Sequence, residues 1–218
     1  MVGRHLDDVG AGRHRRVTAA AFLEIVDGRR GHFRLESGHH SALWLDLDPL
    51  FSEPRRVDQF VSSLGDALRP YDVSVICGPL LGGAFLAQLL ARALDAQFCF
   101  TERVMPAGRD GLYRAQYLLP PALVAGVRGE RVALVDDVMS AGSALSGTHA
   151  ELLAHGAVPV VVGALLVLGS AGSDYFAGKG LPVEAVARDD YEIWFPGACP
   201  LCAAGKPLED VVGSSPPS

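Results

Sequence analysis

Four cysteines in 218 residues are too few for the disulfide framework of a small secreted protein. Basic charge is also scarce. Lys and Arg number 19 against 25 Asp and Glu, a formal charge of −6, and no basic stripe offsets it, which excludes a general nucleic-acid binder. No apolar run reaches membrane-spanning length; the longest, 157–168, is interrupted by Pro159 and Gly163. The first residues lack the apolar core of a signal peptide, so a cytoplasmic location is expected. What is plentiful is apolar residues, 49%, and glycine, 25 of them. That balance fits one α/β domain with many tight turns between strands and helices.

Residues 1–16 are rich in Gly, Arg and His without periodicity and are expected to form a disordered arm, as are residues 211–218 at the other end; 17–210 form the expected domain. Thr18 can cap a helix over 19–26. Short strands follow at 32–35 and 41–47, joined by the turn Glu36-Ser37-Gly38. Ser52-Glu53-Pro54 opens a helix whose stripe is Val57, Phe60, Val61, Leu64 and Leu68. Residues 73–77 read as a buried strand, 84–94 as a helix and 97–101 as a strand. Residues 104–112, with two glycines and a proline, read as a mobile loop, and 113–119 as a returning strand. A helix at 144–155, a buried strand at 158–168, a short strand at 181–187 and a pairing at the sheet edge over 191–195 complete the pattern. Strand, helix and strand in alternation give a doubly wound parallel sheet.

The most informative stretch is 131–145, RVALVDDVMSAGSAL. Val132, Ala133, Leu134 and Val135 make a buried strand, and Asp136 and Asp137 stand where it is expected to end. Ser140, Ala141, Gly142 and Ser143 form a small-residue turn into a helix, whose N–H groups and dipole favour an anion. Carboxylates above such a cradle suit ribose hydroxyls or a hydrated Mg²⁺. The order of strand, acids, loop and helix resembles the signature by which type I phosphoribosyltransferases bind phosphoribosyl diphosphate (PRPP). The resemblance implies that Asp136 and Asp137 hold the ribose and that 140–143 hold the 5′-phosphate. It also makes Gly78, Pro79, Gly82 and Gly83, in the run Gly78-Pro79-Leu80-Leu81-Gly82-Gly83, the pyrophosphate loop, with Arg103 directed at the same diphosphate. The loop at 104–112 takes the place of the catalytic lid, with Arg109 inside it and Arg114 just beyond as its cations.

Leu35, Ser37, Gly38 and Ser41 resemble the hood motif of the orotate phosphoribosyltransferases, and the tail CPLCAAGKP resembles the C-terminal segment of one of their subgroups. By that likeness the N-terminal strands and the C-terminal segment form a small hood over the sheet. The activity implied by the resemblance is PRPP-dependent phosphoribosylation of a nucleobase, with orotate the expected acceptor, Mg²⁺ arriving mainly on PRPP and a homodimer as the usual assembly. The pattern departs in three places. Glu36 stands where many members carry a lysine, the lid has no lysine, and Leu168-Gly169-Ser170 replaces the Asp-Arg that binds orotate. A purine or modified base as acceptor, and a PRPP-sensing regulator without chemistry, are the alternatives. Cys199 and Cys202 have zinc-knuckle spacing, but a closed site needs four ligands and the chain has no second such pair. They read as a structural turn, with metal binding and a disulfide as the other options.

Overall fold

The computed structural model describes residues 18–35, 38–47, 49–104 and 115–210. Thr18 accepts the Ala21 N–H at 3.2 Å on its hydroxyl and so starts α1 (Ala19–Ile25). Strands β1 (Arg29–Arg34) and β2 (His40–Trp44) form an antiparallel pair. Helix α2 (Pro54–Leu68) has proline in its first turn, where the missing N–H costs nothing, and buries the expected stripe of Val57, Phe60, Val61, Leu64 and Leu68. Then come β3 (Val75–Pro79), α3 (Gly82–Leu94), β4 (Gln97–Val104), β5 (Gln116–Leu118), β6 (Arg131–Met139), α4 (Ser143–Ala154), β7 (Val158–Leu168), α5 (Ala171–Ala177) and β8 (Val183–Asp189). The chain closes with β9 (Ile193–Trp194), the single turn α6 (Pro200–Ala203) and β10 (Glu209–Asp210).

Six strands form the main sheet in the order β5-β4-β3-β6-β7-β8, parallel except for the antiparallel β5 at its edge. Alternation decides which residues face which layer. Along β6, Ala133 and Val135 pack into a core with α1, α2 and α3, while Val132 and Leu134 join α4 and α5 on the other face. On β3, Ile76 belongs to the first core and Val75 and Cys77 to the second. From β3 the chain winds outward through α3 to β4, and from β6 it winds the opposite way through α4 to β7. The strand order therefore reverses between β3 and β6, and a crevice at such a switch point, outside the carboxyl ends of the strands, is where ligands bind in open α/β sheets.

A second sheet has the order β10-β1-β2-β9. It joins the N-terminal strands to the C-terminal segment, the composition expected of the hood. The pairing expected over 191–195 is two residues long and runs along β2 in this sheet, not along the main one. Two further expectations need correction. Strand β6 does not stop before the acids but continues through Asp136 and Asp137 to Met139, because β7 is long enough to pair with it as far as Val167. Helix α5, which has Ser170 at its N-cap without a side-chain cap bond and no long apolar stripe, follows β7 directly. No helix among the described residues is long and apolar enough to cross a membrane.

Candidate active site

The acids of β6 meet the glycines that follow β3 at the switch point. A Cβ on Gly82 would overlap Oδ2 of Asp137. One on Gly83 would lie 2.8 Å from Oδ1 of Asp136 and 2.9 Å from the Val135 carbonyl oxygen. Only a residue without a side chain lets the start of α3 come so close to the carboxylates. Leu80 donates its N–H to the Thr101 carbonyl at 2.9 Å, which ties the turn to β4, and the Leu80–Leu81 peptide is cis. The segment 78–83 thus lies between β4 and the two acids. It is shorter as a loop than the sequence implies, since Gly78 and Pro79 still belong to β3 and Gly82 already opens α3.

Asp136 and Asp137 are adjacent on a strand yet turn toward one another's surroundings. The Val138 N–H donates to Oδ1 of Asp137 at 2.8 Å, and the Asp137 N–H donates to Oδ1 of Asp136 at 3.1 Å. Burial holds the Asp136 carboxyl well above the usual carboxylate range, and the neighbouring Asp137 adds to the rise. Burial raises Asp137 as well, against the lowering effect of the Val138 N–H. Two crowded carboxyls of this kind hold protons more firmly than free aspartates do, and a cation or a set of hydroxyl donors placed beside them favours the ionised form.

Beyond Met139 the chain turns through Ser140, Ala141 and Gly142 into α4. Gly142 has φ +72°, a left-handed conformation that glycine takes without penalty, and its Cβ position lies 3.4 Å from Phe176 and from Gly172 Cα. The Ser140 carbonyl accepts the Gly172 N–H at 3.0 Å, so α5 braces the loop from behind. No side chain caps α4, which leaves the first N–H groups of a twelve-residue helix at the loop carrying Ser140, Ala141 and Ser143. Ala141 and Ser143 are exposed.

Arg103 lies on β4, exposed, two residues past Thr101 and opposite Tyr117 of β5. That position is beside the 80–83 turn. A cavity of about 350 Å³ opens between the segment before α2, the start of α3 and β6, lined by Leu47, Phe51, Ser52, Leu81, Gly82, Phe85 and Asp137. Its apolar wall includes the Phe51 and Phe85 rings, 5.7 Å apart. Sequence reasoning missed this wall, since Leu47 and Phe51 come from the segment before α2 and nothing local links them to Asp137. At the carboxyl end of β7, where the orotate pattern carries Asp-Arg, Leu168 is followed by Gly169, Ser170 and α5. Arg30 from β1 lines a cavity beside Gly169, but it is paired at 2.5 Å with Asp189 and shares that space with Asp190 and Glu192. Arg109 and Arg114 of the lid, and Glu36 and Ser37 of the hood motif, lie outside the described residues. Sequence reasoning also missed a second group, none of whose members lines that cavity, in which His32 and His40 come together with Cys199 and Cys202.

Residues 56–186 match the family of the phosphoribosyl transferase domain, well over half of the chain. The chain belongs to the phosphoribosyltransferase family. It is 34% identical over 179 residues to the orotate phosphoribosyltransferase of Thermotoga maritima, covering 82% of this chain and 88% of that enzyme. The crystal structure of orotate phosphoribosyltransferase from Aeropyrum pernix superposes with a TM-score of 0.62 at 23% identity, over 78% of this chain and 92% of the other. That of adenine phosphoribosyltransferase from Thermoanaerobacter pseudethanolicus gives 0.56 at 18% identity, over 67% and 88%. These two likenesses carry the fold alone, and they extend to enzymes named for different bases.

Proposed function

We propose that the protein transfers the phosphoribosyl group of PRPP to orotate, forming orotidine 5′-monophosphate and pyrophosphate in pyrimidine biosynthesis. The observation that carries the donor half is the packing of Gly82 and Gly83 directly on Asp137 and Asp136, which brings two anion-type loops and a carboxylate pair to one switch point. The acceptor half rests on the orotate phosphoribosyltransferase from Thermotoga maritima, aligned over most of both chains.

In this reading the bond from the anomeric carbon to the diphosphate oxygen breaks and its electron pair leaves with the diphosphate. A ring nitrogen that has given up its proton closes the new carbon–nitrogen bond. Positive charge develops on the sugar and negative charge on the leaving group, so the catalysis is electrostatic. Asp136 and Asp137 hold the ribose hydroxyls and stabilise the cationic sugar. Ser140, Ala141, Gly142 and Ser143, with the first turn of α4, anchor the 5′-phosphate and fix the reacting carbon. Gly78, Pro79, Gly82, Gly83 and the exposed guanidinium of Arg103 receive the diphosphate; a planar fork of donors suits that anion. Leu47, Phe51 and Phe85 give the sugar and base an apolar wall that excludes water. Two adjacent carboxyls, one of them lining the cavity, are an oxygen donor set that fits a hydrated Mg²⁺ once ionised, and the ion favours that ionised form. Asp136 and Asp137 would hold the ion that accompanies PRPP, and when bound it neutralises charge on the diphosphate. The second sheet serves as the hood.

The test is pyrophosphate release from PRPP with orotate, uracil and purines offered one at a time. Release with orotate alone is the expected result. Release with a purine instead moves the acceptor, and binding of PRPP without turnover on any base makes the protein a sensor.

A further inference from the structure

Four side chains from distant parts of the chain, none of them at the switch point's acids or glycine turn, converge on one point. His32 is on β1, His40 on β2, Cys199 is the residue before α6, and Cys202 is within it. Their ligating atoms all lie within 4.8 Å of one another. Nε2 of His32 is 3.2 Å from Nδ1 of His40, 3.4 Å from Sγ of Cys199 and 3.6 Å from Sγ of Cys202. Sγ of Cys202 is 3.3 Å from Nδ1 of His40. A tetrahedral Zn²⁺ with its usual bond lengths sets ligand atoms about 3.3 Å apart for two nitrogens and about 3.5 Å for nitrogen and sulfur. The four distances match that tetrahedron to within a few tenths of an ångström.

Hydrogen bonding accounts for only part of the convergence. Nδ1 of His32 is 3.0 Å from the Lys206 carbonyl oxygen, an acceptor only, so it carries the proton and donates it. With that proton on Nδ1, Nε2 of His32 has at most one lone pair, yet Nδ1 of His40 and the sulfurs of Cys199 and Cys202 all crowd toward it. One lone pair satisfies one hydrogen, whereas a cation at the centre takes a lone pair from each of the four. The Lys206 contact is also the outer hydrogen bond that fixes the tautomer of a metal-binding histidine.

The local backbone is arranged for the same end. The pairing of β1 with β2 shifts register between Arg30 and Phe33, so His32 sits in an irregular stretch where strict alternation does not apply. His32 and the following Phe33 are both buried as a result. On the other side α6 is one turn long, with Ala203 bonded back to Cys199, and it sets the two thiols three residues apart on one side. Gly205, with φ +66°, ends that turn and lets Lys206 reach His32. His32, His40 and Cys199 are buried and Cys202 is at the surface, which gives a closed site with an entry route.

We infer that His32, His40, Cys199 and Cys202 form a structural zinc site that staples the C-terminal segment to the β1–β2 pair. Two thiolates neutralise the charge of the ion, as burial requires, and a tetrahedral S₂N₂ set selects Zn²⁺ over harder cations. The staple is needed because β9 and β10 pair over two residues each, and strands that short are not stable on their own. The site is independent of the phosphoribosyl reading.

The full chain, purified without an affinity tag under reducing conditions, is expected to carry one Zn²⁺ per molecule by elemental analysis. Co²⁺ exchanged into it is expected to give the visible absorption of a tetrahedral ion with thiolate ligands, and His40→Ala and Cys202→Ser to lose both signals. Because either change can unfold the second sheet, the wild-type stoichiometry and cobalt spectrum decide the matter by themselves. Zinc well below one per chain that added Zn²⁺ does not restore, or an octahedral cobalt spectrum, overturns the assignment. So does a Cys199–Cys202 disulfide found by mass spectrometry in wild-type protein prepared with Zn²⁺ and reductant.

Discussion

The two sheets of this protein are held together by different means. The main sheet has long registers and two apolar layers; β6 and β7 alone pair from Arg131 to Met139, and residues such as Leu64, Val135 and Leu165 are fully buried between helices and strands. The second sheet pairs over short stretches, is crossed by exposed ion pairs of Arg29 with Glu209 and Arg34 with Asp210, and gathers four metal-binding side chains. Cohesion in the first grows with apolar area. In the second, it depends on a few specific contacts between residues far apart in the chain. The proposed active-site residues stand on the first, where a rigid, packed scaffold keeps carboxylates and anion loops within the tolerance that catalysis needs.

The sharpest way to separate the two kinds of role is to remove a charge from the main sheet without removing volume. Asp137→Asn is expected to lower PRPP-dependent turnover by on the order of 10³-fold or more, a loss of the size that follows removal of one electrostatic partner of the transition state. Steady-state pyrophosphate release measures it, and wild-type turnover in the variant would remove Asp137 from the mechanism. The same change is expected to leave the fold at least as stable. The folded-state pKa of Asp137 is raised, so the folded protein binds a proton that the unfolded chain releases. Stability from this group is greatest at low pH and is lost as pH rises from the ordinary carboxylate range through the folded-state value. Thermal unfolding should therefore find the Asn variant at or above wild type at pH 8, with the gap closing as pH falls toward that range. A variant less stable at pH 8 contradicts the sign.

Next in size is a cavity in the main core. Leu64 of α2 is fully buried and sits where Gly163 of β7 gives it room, 3.3 Å from the glycine's Cβ position. Leu64→Ala is expected to cost about 2–5 kcal/mol of unfolding free energy, read by denaturant titration, with the metal content of the second sheet unchanged. A smaller loss is expected from Gly83→Ala. The added methyl meets Asp136 and the Val135 carbonyl, and relief by backbone shift costs about 1–3 kcal/mol while weakening PRPP binding more than the fold. Isothermal titration with PRPP beside a melting curve distinguishes the two effects. The smallest effect is expected from Arg34→Ala in the second sheet. Its partner is Asp210 and both side chains are about half exposed, so the loss should stay within about 1 kcal/mol. A larger loss would mean that ion pairs, not the cysteine and histidine cluster, hold that sheet.

What was readable in the sequence follows the same division. The strand, acids, turn and helix of 131–145 lie together in the chain, so their meaning is local: an unbroken apolar run, Val132 to Val135, marks a strand covered on both faces, Gly142 takes the left-handed turn, and α4 begins at Ser143. The turn at 78–83 was legible for the same reason, although its extent was not, because the pairing of β3 with β4 as far as Thr101 fixes where the strand ends. Local chemistry also settled Thr18 as a cap and Pro54 as a helix start. Tertiary structure alone decided the rest. It set Gly82 against Asp137, brought Leu47 and Phe51 to the same cavity, and joined His32 and His40 to Cys199 and Cys202 across more than 150 residues. Cysteine spacing by itself offered two ligands, and the other two come from neighbouring strands whose histidines carry no pattern of their own. Periodicity records which way a residue faces, but a partner on another element is chosen by strand order and register, which no short window of sequence contains.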